Sequence, residues 1–274
     1  MIKTKEIAFS YRKEKKLFSN LNFNQESGNI IGLLGKNGAG KSTLLSLFSG
    51  LIRPKSGSLE INGFVPYKRN PNFLADVFLV TDEPYIPSST IKAYKNVYAA
   101  LYKNFNFEKF NTILKEFKLN ENDKLHKLSH GQQKKFIIAF ALSTNCKMLL
   151  LDEPTNGLDI PSKSLFRKIL IKSIEENQLV IISTHQVKDI ETVIDKIVIL
   201  EDGQIIFEKG IAEITEKIQF KKMISIASLD NLLFYERCPE GFKVMLPMAN
   251  NEEETDIDIE LLFNAITNKT QIPL

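Results

Sequence analysis

Between Lys3 and Tyr11, and again between Leu17 and Phe23, apolar and polar residues alternate with a period of two. That is the pattern of strands with one buried face, and the charged cluster Arg12–Lys16 between them predicts a solvated hairpin turn. Asn29–Leu34 is instead a nearly continuous apolar run, as expected of a strand buried on both faces. A glycine-rich loop follows, then helical spacing over Lys41–Phe48, then strands over Ser58–Ile61 and Val77–Val80. From Thr90 to Leu119 the period changes. Ile91, Tyr94, Val97, Tyr98 and Leu101 share one helical face and Phe110, Ile113, Leu114 and Phe117 another, which predicts an inserted helical subdomain. Beyond it the spacing predicts helix Gly131–Ser143, strand Met148–Leu151, helix Ser162–Glu176, strand Leu179–Ser183, helix Gln186–Ile194 and strand Lys196–Leu200.

Strands separated by helices place the chain in the α/β class, with a mainly parallel sheet covered on both faces. Glu201-Asp202-Gly203 predicts a hairpin back through Gln204–Glu208. After Gly210 the composition shifts. Short strands at Met223–Ala227, Asn231–Glu236 and Phe242–Met245, an acidic stretch from Glu252 to Glu260 and a helix over Ile259–Ile266 predict a small α+β extension. The expected division is therefore residues 1–210, with the helical insertion at about 85–145, and an accessory domain at 211–274.

With 274 residues, 43% of them hydrophobic and 25% charged, the chain can bury a full core. Its 36 basic and 33 acidic residues leave a net charge of +3, too balanced for a nucleic-acid footprint. The apolar run Phe136–Leu142 falls far short of the roughly 18–20 residues of a membrane span, and Met1–Lys16 lacks the apolar core of a signal peptide. Cys146 and Cys238 stand alone, without metal-ligand spacing. A cytoplasmic setting is expected.

Gly35-Lys36-Asn37-Gly38-Ala39-Gly40-Lys41-Ser42-Thr43 sits between the buried strand and the helix, the context a phosphate-binding loop requires. Glycines let main-chain N–H groups wrap a nucleotide's β-phosphate, Lys41 reaches β and γ oxygens, and Ser42 offers a hydroxyl to Mg²⁺. The apolar strand Met148–Leu151 runs into Asp152-Glu153. Asp152 is placed to serve the magnesium shell and Glu153 to take a proton from attacking water, although a bare helix-entry pair would read the same way without the upstream loop.

Leu128-Ser129-His130-Gly131-Gln132 then precedes an apolar helix. With this segment the chain resembles the nucleotide-binding subunits of ATP-binding cassette (ABC) transporters, whose signature reads Leu-Ser-Gly-Gly-Gln at this place. Residues 1 to about 210 follow that family's order of elements. The resemblance implies a RecA-like P-loop core with an N-terminal antiparallel β region, and ATP and Mg²⁺ as cofactors. It also implies an ATP-bound dimer, homo- or heteromeric, in which Ser129, Gly131 and Gln132 close on the partner's nucleotide. By the same likeness Asp159, in Asn156-Gly157-Leu158-Asp159, belongs to a loop crossing the interface, His185 contacts the γ-phosphate, and Tyr11 stacks on adenine. Ser129 as a plain helix cap and Tyr11 as a packing aromatic are the local alternatives.

Two positions depart from the family pattern. His130 replaces a glycine, and Asp82, in Thr81-Asp82-Glu83-Pro84, replaces a glutamine that links the metal site to the helical subdomain, so that Asp82, or Glu83 beside it, becomes a candidate metal ligand. The function implied is an ATPase subunit driving a separate transmembrane permease from the inner face of the membrane, with a tail like those of exporter subunits. A soluble cassette ATPase, such as an iron–sulfur cluster assembly subunit, is the competing expectation.

Overall fold

A computed structural model describes residues 1–12, 16–227, 229, 231–248 and 254–273. Lys13–Lys15 of the basic turn and Glu252 and Glu253 of the acidic stretch lie outside the described residues.

In chain order the first elements are β1 (Ile2–Phe9), β2 (Phe18–Leu21), β3 (Asn24–Gln25), β4 (Asn29–Leu34), α1 (Lys41–Phe48), β5 (Ser56–Ile61), a short α2 (Pro71–Leu74) and β6 (Val77–Val80). Next come α3 (Ile91–Tyr98), α4 (Phe107–Glu116), α5 (His130–Ser143), β7 (Met148–Asp152), α6 (Ile160–Ser173), β8 (Leu179–Thr184), β9 (Lys196–Glu201) and β10 (Gln204–Gly210). The C-terminal part adds α7 (Ile211–Thr215), β11 (Ile218–Met223), β12 (Phe234–Cys238), β13 (Gly241–Pro247) and α8 (Ile259–Thr267).

The central sheet runs β10-β9-β4-β8-β7-β6. Its strands are parallel except for the β9–β10 hairpin, turned by Asp202 and Gly203 in left-handed conformations. β7 and β8 are buried at every position, which is why Met148–Leu151 and Leu179–Ile182 are continuously apolar rather than alternating, with polar residues only at the strand ends. One core lies between this sheet and the antiparallel sheet of β1, β2, β3 and β5, closed by α1; the other lies between the sheet and α5 and α6. Parallel strands all end on the same side, so Leu34, Asp152 and Thr184 deliver their following loops to one edge.

The α4 face predicted from spacing is buried as a unit, whereas on α3 only Ile91 is fully covered. Helix α3 ends at Tyr98, and Val97 and Leu101 remain exposed on the surface of the helical insertion. The predicted helix Gln186–Ile194 is not formed: a single 3-10 turn, Val187–Asp189, is followed by turns. Val187, Ile190, Thr192, Val193 and Ile194 are β-branched, which disfavours helix, and Ile190 and Ile194 instead pack over Gly32, where a β-carbon would meet Ile194 Cδ1 at 2.8 Å.

In the C-terminal part the predicted strand Met223–Ala227 is displaced to Ile218–Met223. Pairing with β13 ends at Met223 opposite Phe242, and Ile224 beyond it is exposed. The strand predicted at Asn231–Glu236 likewise starts later, at Phe234. Ile214, Ile218, Met245, Ile259 and Leu262 from this part join the same buried cluster as α5 and β7, so its core is continuous with that of the preceding residues.

Candidate functional site

Helix α1 begins at Lys41 behind Gly40, which adopts φ 109° and offers no side-chain cap, and its first turn carries no acid. The leading N–H groups therefore point into open space with the helix dipole behind them, an anion site by construction. Close packing requires glycine at two loop positions: a β-carbon on Gly35 would lie 2.4 Å from the Leu200 carbonyl oxygen, and one on Gly40 2.8 Å from the Phe18 ring. Gly38, at φ +83°, has nothing within 4 Å of such an atom, so the loop is walled below and open above. Lys41 is buried and donates from Nζ to the Gly35 carbonyl at 2.7 Å, with Lys36 O at 3.4 Å. Burial holds its pKa below the ordinary lysine value, while the charges of Glu153 and Asp152 act in the opposite direction. Asn37, Ala39, Ser42 and Thr43 complete the turn into α1.

The two carboxylates are held by the end of the neighbouring strand. Parallel register sets Asp152 beside Ser183, and the Ser183 hydroxyl donates to Asp152 Oδ1. Glu153 follows in a left-handed conformation, φ 46°, which for a non-glycine residue costs roughly 1–3 kcal/mol and marks a position fixed by its surroundings. Its Oε2 accepts from Thr184 Oγ1 at 3.1 Å, and its Oε1 accepts from the His185 main-chain N–H at 3.1 Å and meets His185 Nδ1 at 2.8 Å. His185 is thus brought onto Glu153, a contact for which residue order carries no sign. Ser183 and Thr184 were missed by sequence reasoning; only the pairing of β7 with β8 reveals them.

Tyr11 is exposed, its ring set edge-on to Phe9 at 4.9 Å and its hydroxyl 3.0 Å from Thr43 Oγ1, so one aromatic face is free beside α1. Among the described residues no group of three or more acidic, His or Cys side chains gathers to hold a metal. A hydroxyl at Ser42 and a carboxylate at Asp152 fit Mg²⁺, a hard ion that keeps few protein ligands and fills its shell with phosphate and water oxygens. Asp82, the third predicted ligand, is drawn elsewhere: Asn156 Nδ2 donates to its Oδ1 at 3.0 Å and Lys134 Nζ lies 3.4 Å from the same atom.

The signature segment starts α5. Ser129 Oγ accepts from the Gln132 N–H at 3.3 Å while Gln132 Oε1 accepts from the Ser129 N–H at 3.0 Å, a closed capping box. Gly131 and His130 abut the loop before α6: a β-carbon on Gly131 would meet the Gly157 carbonyl at 2.9 Å, and one on Gly157 would meet His130 Nδ1 at 2.8 Å. Asp159 caps α6 by accepting from the Ser162 N–H at 2.9 Å. A cavity of about 590 Å³ beside the phosphate loop is lined by Gly35, Lys36, Asn37, Thr184 and His185, and none of Leu128–Gln132 reaches it. Its far wall is α8, through Glu260, Phe263 and Asn264; the helix was predicted from spacing, its place at this cavity was not.

Residues 18–156 match the family described as ABC transporter. The SkfA peptide export ATP-binding protein SkfE of Bacillus subtilis is 31% identical over 210 residues, 74% of this chain and 87% of its own. The molybdate import ATP-binding protein MolC of Haemophilus influenzae is 31% identical over 206 residues, 73% of this chain and 78% of its own. Among solved structures, a dimeric ATP-binding cassette in a post-hydrolysis state with ADP and Pi superposes with a TM-score of 0.67 at 26% identity, covering 77% of this chain and 98% of that one.

Proposed function

This chain belongs to the ABC transporter family as an ATP-binding subunit with ATPase activity, and from that premise we propose that it hydrolyses ATP as a head-to-tail dimer coupled to a separate transmembrane permease. The observation that carries the dimer is the separation of the signature segment from the cavity beside the chain's own phosphate loop. Ser129, Gly131 and Gln132 then serve the nucleotide of a second cassette, identical or related, and Asp159 crosses between them. Tyr11 stacks on the adenine, and Gly35–Thr43 cradle the phosphates. Ser42 and Asp152 would hold Mg²⁺, which neutralises phosphate charge when bound. Glu153 takes the proton of the attacking water, and His185, in contact with its Oε1, sets the direction of that carboxylate.

The permease docks on the helical insertion. Leu51, Leu101 and Tyr102 border a cleft of about 530 Å³ with Arg69 at its edge, and Leu51, Val97 and Leu101 leave apolar surface exposed around it. Among the described residues no helix is long and apolar enough to cross a membrane, so in this reading the span belongs to another polypeptide and the chain sits on the inner face. Residues 1–210 form the motor and 211–274 an accessory unit. Export is proposed from the exporter-like C-terminal tail, since relatives of 31% identity include both a peptide-export and a molybdate-import protein; transport by inside-out vesicles carrying this chain and its permease distinguishes export, seen as ATP-driven uptake, from import.

Glu153→Gln tests the reading. The variant is expected to bind ATP, elute as a dimer with ATP and Mg²⁺, and turn over at least about 100-fold more slowly. A monomer with normal turnover would remove Glu153 from the chemistry.

A further inference from the structure

Lys134 has no accessible surface at all, although it lies in the second turn of α5 and precedes the apolar run Phe136–Leu142. A buried ammonium must be compensated, because an unpaired charge removed from water loses its hydration without replacement. Four oxygens compensate it. Nζ donates to the main-chain carbonyls of Asp82, of Glu153 at 3.3 Å and of Thr81 at 3.4 Å, and stands 3.4 Å from Asp82 Oδ1. Asp82 is the ion-pair partner, its own side chain partly open to water and steadied from the other side by Asn156 Nδ2 at 3.0 Å.

These contacts join the three pieces of the site that the topology leaves separate. Lys134 is rigidly attached to the helix that starts with the signature segment; Thr81 and Asp82 leave β6 toward the helical insertion; Glu153 leaves β7 in a left-handed conformation that its surroundings must hold. A side chain that binds the Glu153 carbonyl and the Asp82 backbone together fixes one relative to the other. An ordinary buried ion pair would stabilise the fold without gripping the backbone of the carboxylate proposed as base.

We propose that Lys134 and Asp82 are a single positioning unit for hydrolysis, which locks the Glu153 main chain to the start of the helical insertion and to the signature helix. Asp82 in this role compensates Lys134 instead of ligating Mg²⁺. The inference rests on the assignment of Glu153 made above.

The test is a double-mutant cycle of Lys134→Gln and Asp82→Asn, read as kcat and KM for ATP, with thermal melts and an Mg²⁺ titration of each variant. Each single variant is expected to lower kcat by about 10-fold with KM within about twofold, as for a geometric displacement that acts in the transition state. The double variant is expected to lose about 10-fold, not about 100-fold, because either change breaks the same unit. Multiplying losses, a rise in KM at constant kcat, or a shifted Mg²⁺ midpoint in Asp82→Asn would each overturn it. Where Lys134→Gln does not melt cooperatively, Asp82→Asn is set against Asp82→Glu: recovered kcat with the retained charge supports the unit, and equal losses overturn it. Glu153→Gln in the same assay separates the two failures, since normal turnover there removes the base while the cycle still reports on the pair.

Discussion

Helices α1 and α5 open the two halves of the proposed site, and their first turns are built in opposite ways. α1 starts from a glycine with no side-chain cap and no acid nearby, so its N–H groups and Lys41 are ready for phosphate without rearrangement. α5 starts from a closed box in which Ser129 and Gln132 already bind each other's main chain. One helix start is preorganised for an anion; the other is closed on itself through Ser129 and Gln132, with the Ser129 O–H left to donate to an anion. A dimer of such halves is expected to take nucleotide at α1 first, the α5 side committing afterwards.

The largest effect that could break this comparison is expected at α1. Lys41→Ala removes the one cation buried in the loop and is expected to lower turnover by about 100-fold or more, with weaker binding of a fluorescent ATP analogue. Turnover within about threefold of the parent would show that the loop's main chain suffices. At α5 the expected effects are smaller. Ser129→Ala removes the cap, costing about 1 kcal/mol in a thermal melt, and also weakens ATP-dependent dimerisation. Gln132→Ala opens the box while keeping the hydroxyl, so its loss of dimerisation by light scattering is expected to be smaller than that of Ser129→Ala. Parallel losses in both variants would mean that the box does nothing beyond capping.

The same contrast explains what the sequence made legible. The α1 half is local: a buried strand, a glycine loop and a helix in continuous order, whose chemistry is carried by main-chain groups that any reader of spacing can place. The parallel sheet was legible for a related reason, since fully buried strands are continuously apolar. What escaped was assembled from distant side chains. Thr184 and Ser183 hold the two carboxylates only because β8 pairs in register with β7, and His185 turns to Glu153 for the same reason. Lys134 was invisible because a lysine beside another lysine at the start of an apolar run reads as a solvated position, and only the fold shows it enclosed. The false helix at Gln186–Ile194 has a different origin: its apolar positions do face the core, but a β-branched segment reaches the core by turns as well as by helix.

The smallest expected effect lies at a third helix start, intermediate between the other two. α6 begins behind Asp159, whose carboxylate caps the Ser162 N–H at 2.9 Å, and hydrogen bonds from the Ser162 side chain and main chain hold its pKa below the ordinary aspartate value. A carboxylate depressed in this way stabilises the folded chain above its unfolded pKa, and the contribution disappears as pH falls through the folded value. Asp159→Asn keeps a good capping side chain but removes the titration. Near neutral pH the parent is therefore expected to melt slightly above the variant, and below about pH 4 that small advantage disappears. Melting curves of the two chains across that range check the sign. An acid-side loss of equal size in both would place the titration elsewhere. A loss of ATP-dependent dimerisation at neutral pH, with the melt unchanged, would instead show that the charge of Asp159 acts across the interface, setting this helix start beside α1 rather than α5.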